Sequence, residues 1–237
     1  MPNEYFQFRQ FTVWQDRCAM KVGTDGTLLG AWSQAPIGEC RILDIGTGTG
    51  LVALMMAQRF PNAQITAIDI DGDAVMQAQD NVKKSPFSSQ IKVVQGDIRN
   101  MVDDEGFDAI VSNPPYFVDS LACPDLQRTT ARHTISLSYK NLITAVDKLL
   151  KSHGLFSVIL PEENLSNLEI EANVKGLFPR RIFHVHTTPR KNPKRCLIEF
   201  SRISDYKTII INDVVLEDAP NVRSEWYHQL TQNFYIK

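Results

Sequence analysis

Residues 41 to 50 read Arg-Ile-Leu-Asp-Ile-Gly-Thr-Gly-Thr-Gly, a short apolar run that breaks into three alternating glycines before Leu51-Val52-Ala53-Leu54-Met55-Met56-Ala57. No other stretch limits the fold so strongly. An apolar strand must turn sharply into a buried helix here, because glycines permit the tight turn and let a ligand approach the backbone closely. The glycines stand at 46, 48 and 50, so the third comes one residue too early for the dinucleotide fingerprint. Asp44, just ahead of them, sits awkwardly beside a pyrophosphate but suits a ligand bearing an ammonium group.

The rest of the chain alternates in the manner of a parallel sheet. Strands are expected near 41–45, 64–69, 91–95, 107–112 and 155–160, with helices near 50–60, 72–84 and 138–152. The close-set runs Arg181–His186 and Cys196–Phe200 predict an antiparallel hairpin at the sheet edge. In such a sheet ligands bind beyond the carboxyl ends of the strands, and three further motifs lie at those ends. Gln64-Ile65-Thr66-Ala67-Ile68-Asp69 ends in an acid about twenty residues past the glycines, where a carboxylate takes both hydroxyls of a ribose. Ile91–Gln95 leads into Gly96-Asp97-Ile98, a carboxylate and an apolar side chain suited to an adenine ring. After Phe107–Ser112 comes Asn113-Pro114-Pro115-Tyr116. Its prolines fix φ and remove two donors, leaving the Asn113 side-chain oxygen and the Pro114 carbonyl as acceptors and Tyr116 as a stacking face. A planar amine or amide NH2 fits that pocket, although the tetrapeptide alone is equally an ordinary Pro-Pro turn.

Taken in order, these sites resemble the class I S-adenosylmethionine-dependent methyltransferases, in the amino-methyltransferase branch that carries an Asn-Pro-Pro-Tyr motif. The resemblance runs from about Lys21 to Phe200. It implies a Rossmann-like α/β fold: one mostly parallel seven-stranded sheet, helices on both faces and an antiparallel edge hairpin. It places Asp44 and the Gly46, Gly48 and Gly50 loop at the methionine part of S-adenosylmethionine, Asp69 with Ile70 at the ribose, Asp97 at the adenine amine and Ile98 on the ring. Lys21, Thr24 and Asp25 resemble the segment that closes over the methionine end. Asn113, Pro114 and Tyr116 would hold and stack the target base. Closer still, Gln7-Phe8, Ala131-Arg132-His133 and the basic stretch 190–195 resemble the bacterial family that methylates N6 of the adenine just 3′ of the anticodon in a valine tRNA.

Several readings compete. A protein glutamine-N5 methyltransferase holds an amide NH2 with the same tetrapeptide, but such enzymes carry a helical domain for which the 40 residues ahead of Arg41 leave little room. Another RNA or DNA amino-methyltransferase is a further alternative. An NAD(P)-dependent oxidoreductase is opposed by the early third glycine, and a silent RNA-binding module by the complete cofactor and acceptor set.

At 237 residues and 43% hydrophobic composition the chain can bury one α/β core, and no Pro/Gly/Ser-rich linker divides it. We therefore expect one domain over 1–237, with 1–40 as a covering segment and 205–237 as a C-terminal extension whose Trp226, Tyr227, Phe234 and Tyr235 dock on the sheet. No signal peptide or membrane span is apparent, so cytoplasm is the expected location. Cys18, Cys40, Cys123 and Cys196 have no paired spacing, and no metal or obligate protein partner is expected. Net charge is only −2, yet Arg180, Arg181, Arg190, Lys191, Lys194 and Arg195 fall in an acid-free stretch, Pro179 to Arg195. With an adenine-type pocket beside it, that run is expected to form a phosphate-binding rim for tRNA, extended by Arg128, Arg132, His133 and Lys140. His184 and His186 share a strand face and are expected to pack rather than to bind metal.

Overall fold

The computed structural model describes residues 3–17, 21–114, 137–203 and 208–236. A short hairpin, β1 (Tyr5–Gln7) with β2 (Thr12–Trp14), leads into helix α1 (Thr24–Trp32). The parallel core then follows: β3 (Cys40–Ile45), α2 (Leu51–Arg59), β4 (Ala63–Asp69), α3 (Gly72–Lys83), β5 (Ile91–Gln95) and β6 (Phe107–Ser112). Next come α4 (Tyr139–Leu149), β7 (Leu150–Pro161), α5 (Leu165–Val174) and the pair β8 (Phe178–His186) and β9 (Arg195–Ser201). Strand β10 (Ile210–Val215), a small ribbon and α6 (Glu225–Thr231) complete the described chain.

The main sheet runs β10-β8-β9-β7-β6-β3-β4-β5. Its centre is parallel because each strand is apolar on both sides and must be covered twice. On β3, Cys40 and Ile42 join a core with Leu29, Leu54 and Met55 of α1 and α2, whereas Leu43 and Ile45 join Leu142, Val146 and Leu168 of α4 and α5. The β8–β9 hairpin is antiparallel to β7 as expected.

Three boundaries differ from the sequence reading. The sheet has eight strands, one more than expected, because β10 pairs parallel with β8 and takes the edge from the hairpin. Its Ile210 and Ile211 are exposed, while Val214 and the following Leu216 reach the core and the ladder to β8 supplies the rest of its attachment. Helix α4 stops at Leu149, where its buried row Leu142, Ile143, Val146, Leu149 ends. Strand β7 begins at once, with Lys151 Nζ donating to Asp108 at 3.0 and 2.9 Å.

The two ends of the described chain meet. Phe8 bridges Tyr235, their rings stack at 5.9 Å, and Arg9 Nε donates to the Tyr235 carbonyl at 2.7 Å. Phe234 and Tyr227 are buried, so the C-terminal aromatics dock as expected. Cys40 and Cys196 are buried free thiols. Among the described residues no helix is long and apolar enough to cross a membrane.

Candidate active site

Strands β3 to β6 deliver the expected site residues to one edge of the sheet. The turn after β3 is left-handed at Gly46, Gly48 and Gly50, with φ of 71°, 56° and 82°, which L side chains rarely adopt. At Gly50 a Cβ would also meet the Ala78 Cβ at 3.3 Å, so this glycine lets α2 begin against α3. At Gly46 a Cβ would meet nothing within 4 Å, so the backbone faces open space there.

Side chains lace this loop to its neighbours. Asp69 Oδ2 accepts from Gly48 N at 2.8 Å, and Gly46 N donates to the Ile68 carbonyl at 2.9 Å. Asn81 donates to the Thr49 carbonyl at 2.9 Å while pairing with both backbone groups of Trp14, which ties the N-terminal hairpin to the loop. Asp44 is 1% exposed and accepts from Thr47 Oγ1 at 2.6 Å and Ala53 N at 3.1 Å. Burial pushes its carboxyl up to about 7 against those two hydrogen bonds. Asp44 therefore holds the loop from beneath and lines neither cavity described below, in contrast to the expected place at the methionine end.

Two cavities open along this edge. The first, about 270 Å³, is bounded by Asp69, Ile70, Asp97, Ile98, Asn113 and Pro114 among others. The second, about 290 Å³, lies under α1 and is bounded by Lys21, Thr24, Asp25, Thr49, Asn113 and Arg195 among others. Gly46, Gly48 and Asn113 line both, so one elongated ligand can pass over the open face of Gly46 from one to the other. Asn113 is carried there by β6, whose Ser112 Oγ donates to the Ile45 carbonyl at 3.0 Å. Tyr116 lies outside the described residues.

Arg99 was not read from the sequence, yet it lines the first cavity and grips Asp97, with Nε 2.9 and 2.8 Å from the two carboxylate oxygens. The Arg99 guanidinium holds the Asp97 carboxyl below its ordinary value, so it stays charged. The signal was local, an arginine two residues after the acid.

The six cations do not form one rim. Loop 187–194 joins β8 to β9 at the edge that carries the site, and Arg190, Lys191 and Lys194 are exposed on it, with Lys140 exposed at the start of α4. Arg180 and Arg181 stand near the start of β8, toward the opposite edge. Arg181 turns inward to Glu199, 2.7 Å away and 1% exposed, with its guanidinium 3.9 Å from the Trp32 ring centroid. Arg195 pairs with Asp25 in the second cavity. Arg128, Arg132 and His133 lie outside the described residues.

Both histidines sit among polar partners on the β8 face. His184 Nδ1 lies 2.6 Å from Glu162 Oε1, and ligand atoms of Glu162, His184 and Cys196 fall within 4.8 Å of one another. His186 Nε2 lies 2.8 Å from Asp213 Oδ1 and its Nδ1 2.6 Å from the Lys191 carbonyl oxygen, which pins the basic loop to β10, and these acceptors raise its pKa, Asp213 most.

Comparison with known proteins agrees with this geometry. The methyltransferase small domain family matches residues 26–166. The tRNA1(Val) (adenine(37)-N6)-methyltransferase of Bacteroides thetaiotaomicron is 48% identical over 100% of this chain and 99% of its own. The protein of the same description from Phocaeicola vulgatus is 49% identical over 100% and 99%. Among solved structures, a protein of Agrobacterium tumefaciens described as a predicted O-methyltransferase superposes with a TM-score of 0.69 at 18% identity, covering 89% of this chain and 96% of its own. That likeness establishes the Rossmann-like methyltransferase fold.

Proposed function

This chain belongs to the methyltransferase small domain family and, within it, to the tRNA1(Val) (adenine(37)-N6)-methyltransferases, and from that membership we propose that it methylates N6 of the adenine beside the anticodon of a valine tRNA, using S-adenosylmethionine. The observation that carries the site assignment is the position of Asn113, which lines both cavities at the end of β6.

The residues present fit the cofactor. Asp69 faces the first cavity at the end of β4, where its carboxylate takes ribose hydroxyls while already bonded to the glycine loop. Ile70 and Ile98 supply apolar walls for an adenine, and the charged Asp97 accepts its amine. The open face of Gly46 is a cradle that a Cβ would fill. When bound, the cofactor supplies an electrophilic methyl on a sulfonium whose departure needs no acid.

The chain's own work is alignment. An adenine N6 is a poor nucleophile because its lone pair is delocalised into the ring. The Asn113 side-chain oxygen and the Pro114 carbonyl accept the two amino hydrogens and favour the pyramidal, more positive nitrogen of the transition state. Tyr116 is assigned to stack on the target ring. Holding the base in line converts an encounter into an effectively intramolecular step, and the methylated nitrogen then releases its proton to water. Arg190, Lys191, Lys194 and Lys140 are assigned to tRNA phosphates, a role supported by their exposure on the edge that carries the site.

The test is to incubate the purified chain with labelled S-adenosylmethionine and, separately, tRNA, genomic DNA and protein extract, then to resolve the tRNA nucleosides by mass spectrometry. Label in N6-methyladenosine of a valine tRNA is the expected result. Label in protein glutamine would overturn it.

A further inference from the structure

At the base of the β8–β9 hairpin a thiol, an imidazole and a carboxylate converge in a place that neither cavity uses. His184 and Cys196 stand directly opposite each other on this antiparallel pair, so their side chains share one sheet face. Glu162 follows the last residue of β7, and its N–H donates to the Lys194 carbonyl at 3.2 Å, which holds it against the same hairpin. One ligand atom from each of the three lies within 4.8 Å of the others. The carboxylate is only half used: Oε1 meets His184 Nδ1 at 2.6 Å, whereas Oε2 is buried with no hydrogen-bond partner. Cys196 is fully buried. Burial and the Glu162 and Glu169 carboxylates together push its thiol up, so the charges that act on it are both negative. Glu169, carried on α5, acts on His184 as well. A thiol and two carboxylates thus gather around one imidazole.

We propose that Glu162, His184 and Cys196 bind a divalent transition-metal ion of the zinc class, with a fourth position open beside Glu169. The donor set selects the class: thiolate and imidazole suit zinc and its borderline neighbours, whereas magnesium and calcium take oxygen ligands. A tetrahedral ion with bonds of about 2.0–2.3 Å sets its ligand atoms about 3.3–3.7 Å apart. Starting from 2.6 Å for the Glu162–His184 pair and at most 4.8 Å for the others, no pair has to open or close by more than about 1.2 Å. Side-chain rotation covers that distance. As the ion binds, the thiol proton leaves to solvent and His184 ligates through Nδ1 with its remaining proton on Nε2. The side chains of Glu162 and His184 are 25% and 23% exposed, which gives the ion a way in, while buried Cys196 forms the floor. Because the ligands come from the end of β7, from β8 and from β9, the ion clips the base of loop 187–194 to the sheet.

Cobalt(II) is the direct probe, because a thiolate ligand gives it a charge-transfer absorption that carboxylate and imidazole ligands do not. The full chain, stripped with chelator, should take up one equivalent of cobalt with that absorption. Zinc should displace the cobalt, and magnesium should not. Cys196→Ala should abolish the band, and zinc should raise the thermal midpoint of wild type but not of this variant, whose own cooperative melt reports an intact fold. His184→Gln and Glu162→Gln, at partly exposed positions, carry the test independently of core packing: each should weaken zinc by about 100-fold or more. Glu169→Gln, beyond the ligands, should cost only about 10-fold. A wild-type chain with no thiolate band under excess cobalt would overturn the site, as would undiminished zinc affinity in both glutamine variants at 162 and 184. A band that survives in Cys196→Ala would overturn it too, by placing the metal at another cysteine.

Discussion

Asp69 accepts a hydrogen bond from the backbone of Gly48 at 2.8 Å through one carboxylate oxygen and from Asp71 N at 3.0 Å through the other. The residue assigned to the ribose is thus also the strut that holds the glycine loop open. Asp69→Ala should weaken S-adenosylhomocysteine binding by about 1.5–3 kcal/mol for the lost charge-assisted bonds, and it should loosen the loop as well. Calorimetry with amide exchange at 46–50 checks both. Full affinity with an unprotected loop would separate the two roles and move the ribose contact elsewhere.

Arg181 gives the clearest contrast between a cation that binds substrate and one that holds the fold. Its side chain is 13% exposed against Glu199, which is 1% exposed. Arg181→Leu leaves that carboxylate buried and unpaired, a loss of about 3–5 kcal/mol, while tRNA affinity of the folded fraction stays unchanged. Replacing both residues by leucine should recover most of the stability. Thermal melts of the single and double variants decide it, and a single variant as stable as wild type would mean that Glu199 finds another partner.

The motifs that could be read from sequence share one property: each is confined to a few consecutive residues at the end of a strand. Asp69, Asp97 and Asn113 come to line one cavity because a parallel sheet sends every such end to one edge. The cations failed as a group because a strand separates by distance what the sequence keeps adjacent. Arg181 and the loop cations lie within fourteen residues of one another, yet the length of β8 puts them toward opposite edges. Only the hairpin register reveals Glu199 as the partner of Arg181, and only the placement of α1 reveals Asp25 beside Arg195. Asp44 is buried beneath the glycine turn and lines neither cavity. Its chemistry suits an ammonium, but two donors inside the turn claim it first.

That buried carboxyl has a consequence for pH. Asp44 titrates near 7 when folded against an ordinary 3.8, so between those values the folded chain binds the extra proton and stability falls as pH rises. An asparagine in its place would carry no such charge and would keep an acceptor for Thr47 and Ala53. The stability of Asp44→Asn relative to wild type should therefore increase from pH 5 to pH 8, by an amount on the order of 3 kcal/mol. Denaturant melts at the two pH values measure it. A constant difference would mean that Asp44 titrates normally.

The loop cations make the quantitative case for RNA. Arg190, Lys191 and Lys194 replaced together by alanine should reduce the slope of log K against log salt by about 2–3, since each neutralised phosphate releases close to one counterion. S-adenosylhomocysteine affinity should not change, because none of the three lines either cavity. An unchanged slope would leave the loop as a solvated surface.

Asn113→Ala tests the chemistry itself. The alanine removes one of two acceptors for the amino hydrogens but leaves β6, held by the Ser112 bond to Ile45, in place. Single-turnover methyl transfer should fall about 10²-fold or more, the usual cost of one oriented group that stabilises developing charge. Cofactor affinity should stay near normal, because Asp69, Ile98 and the glycine loop are untouched. If transfer persists at the wild-type rate, the Pro114 carbonyl alone activates the amine and Asn113 is only a wall between the cavities. If affinity collapses together with rate, Asn113 belongs to the cofactor and the acceptor for the base must be sought elsewhere along the same edge.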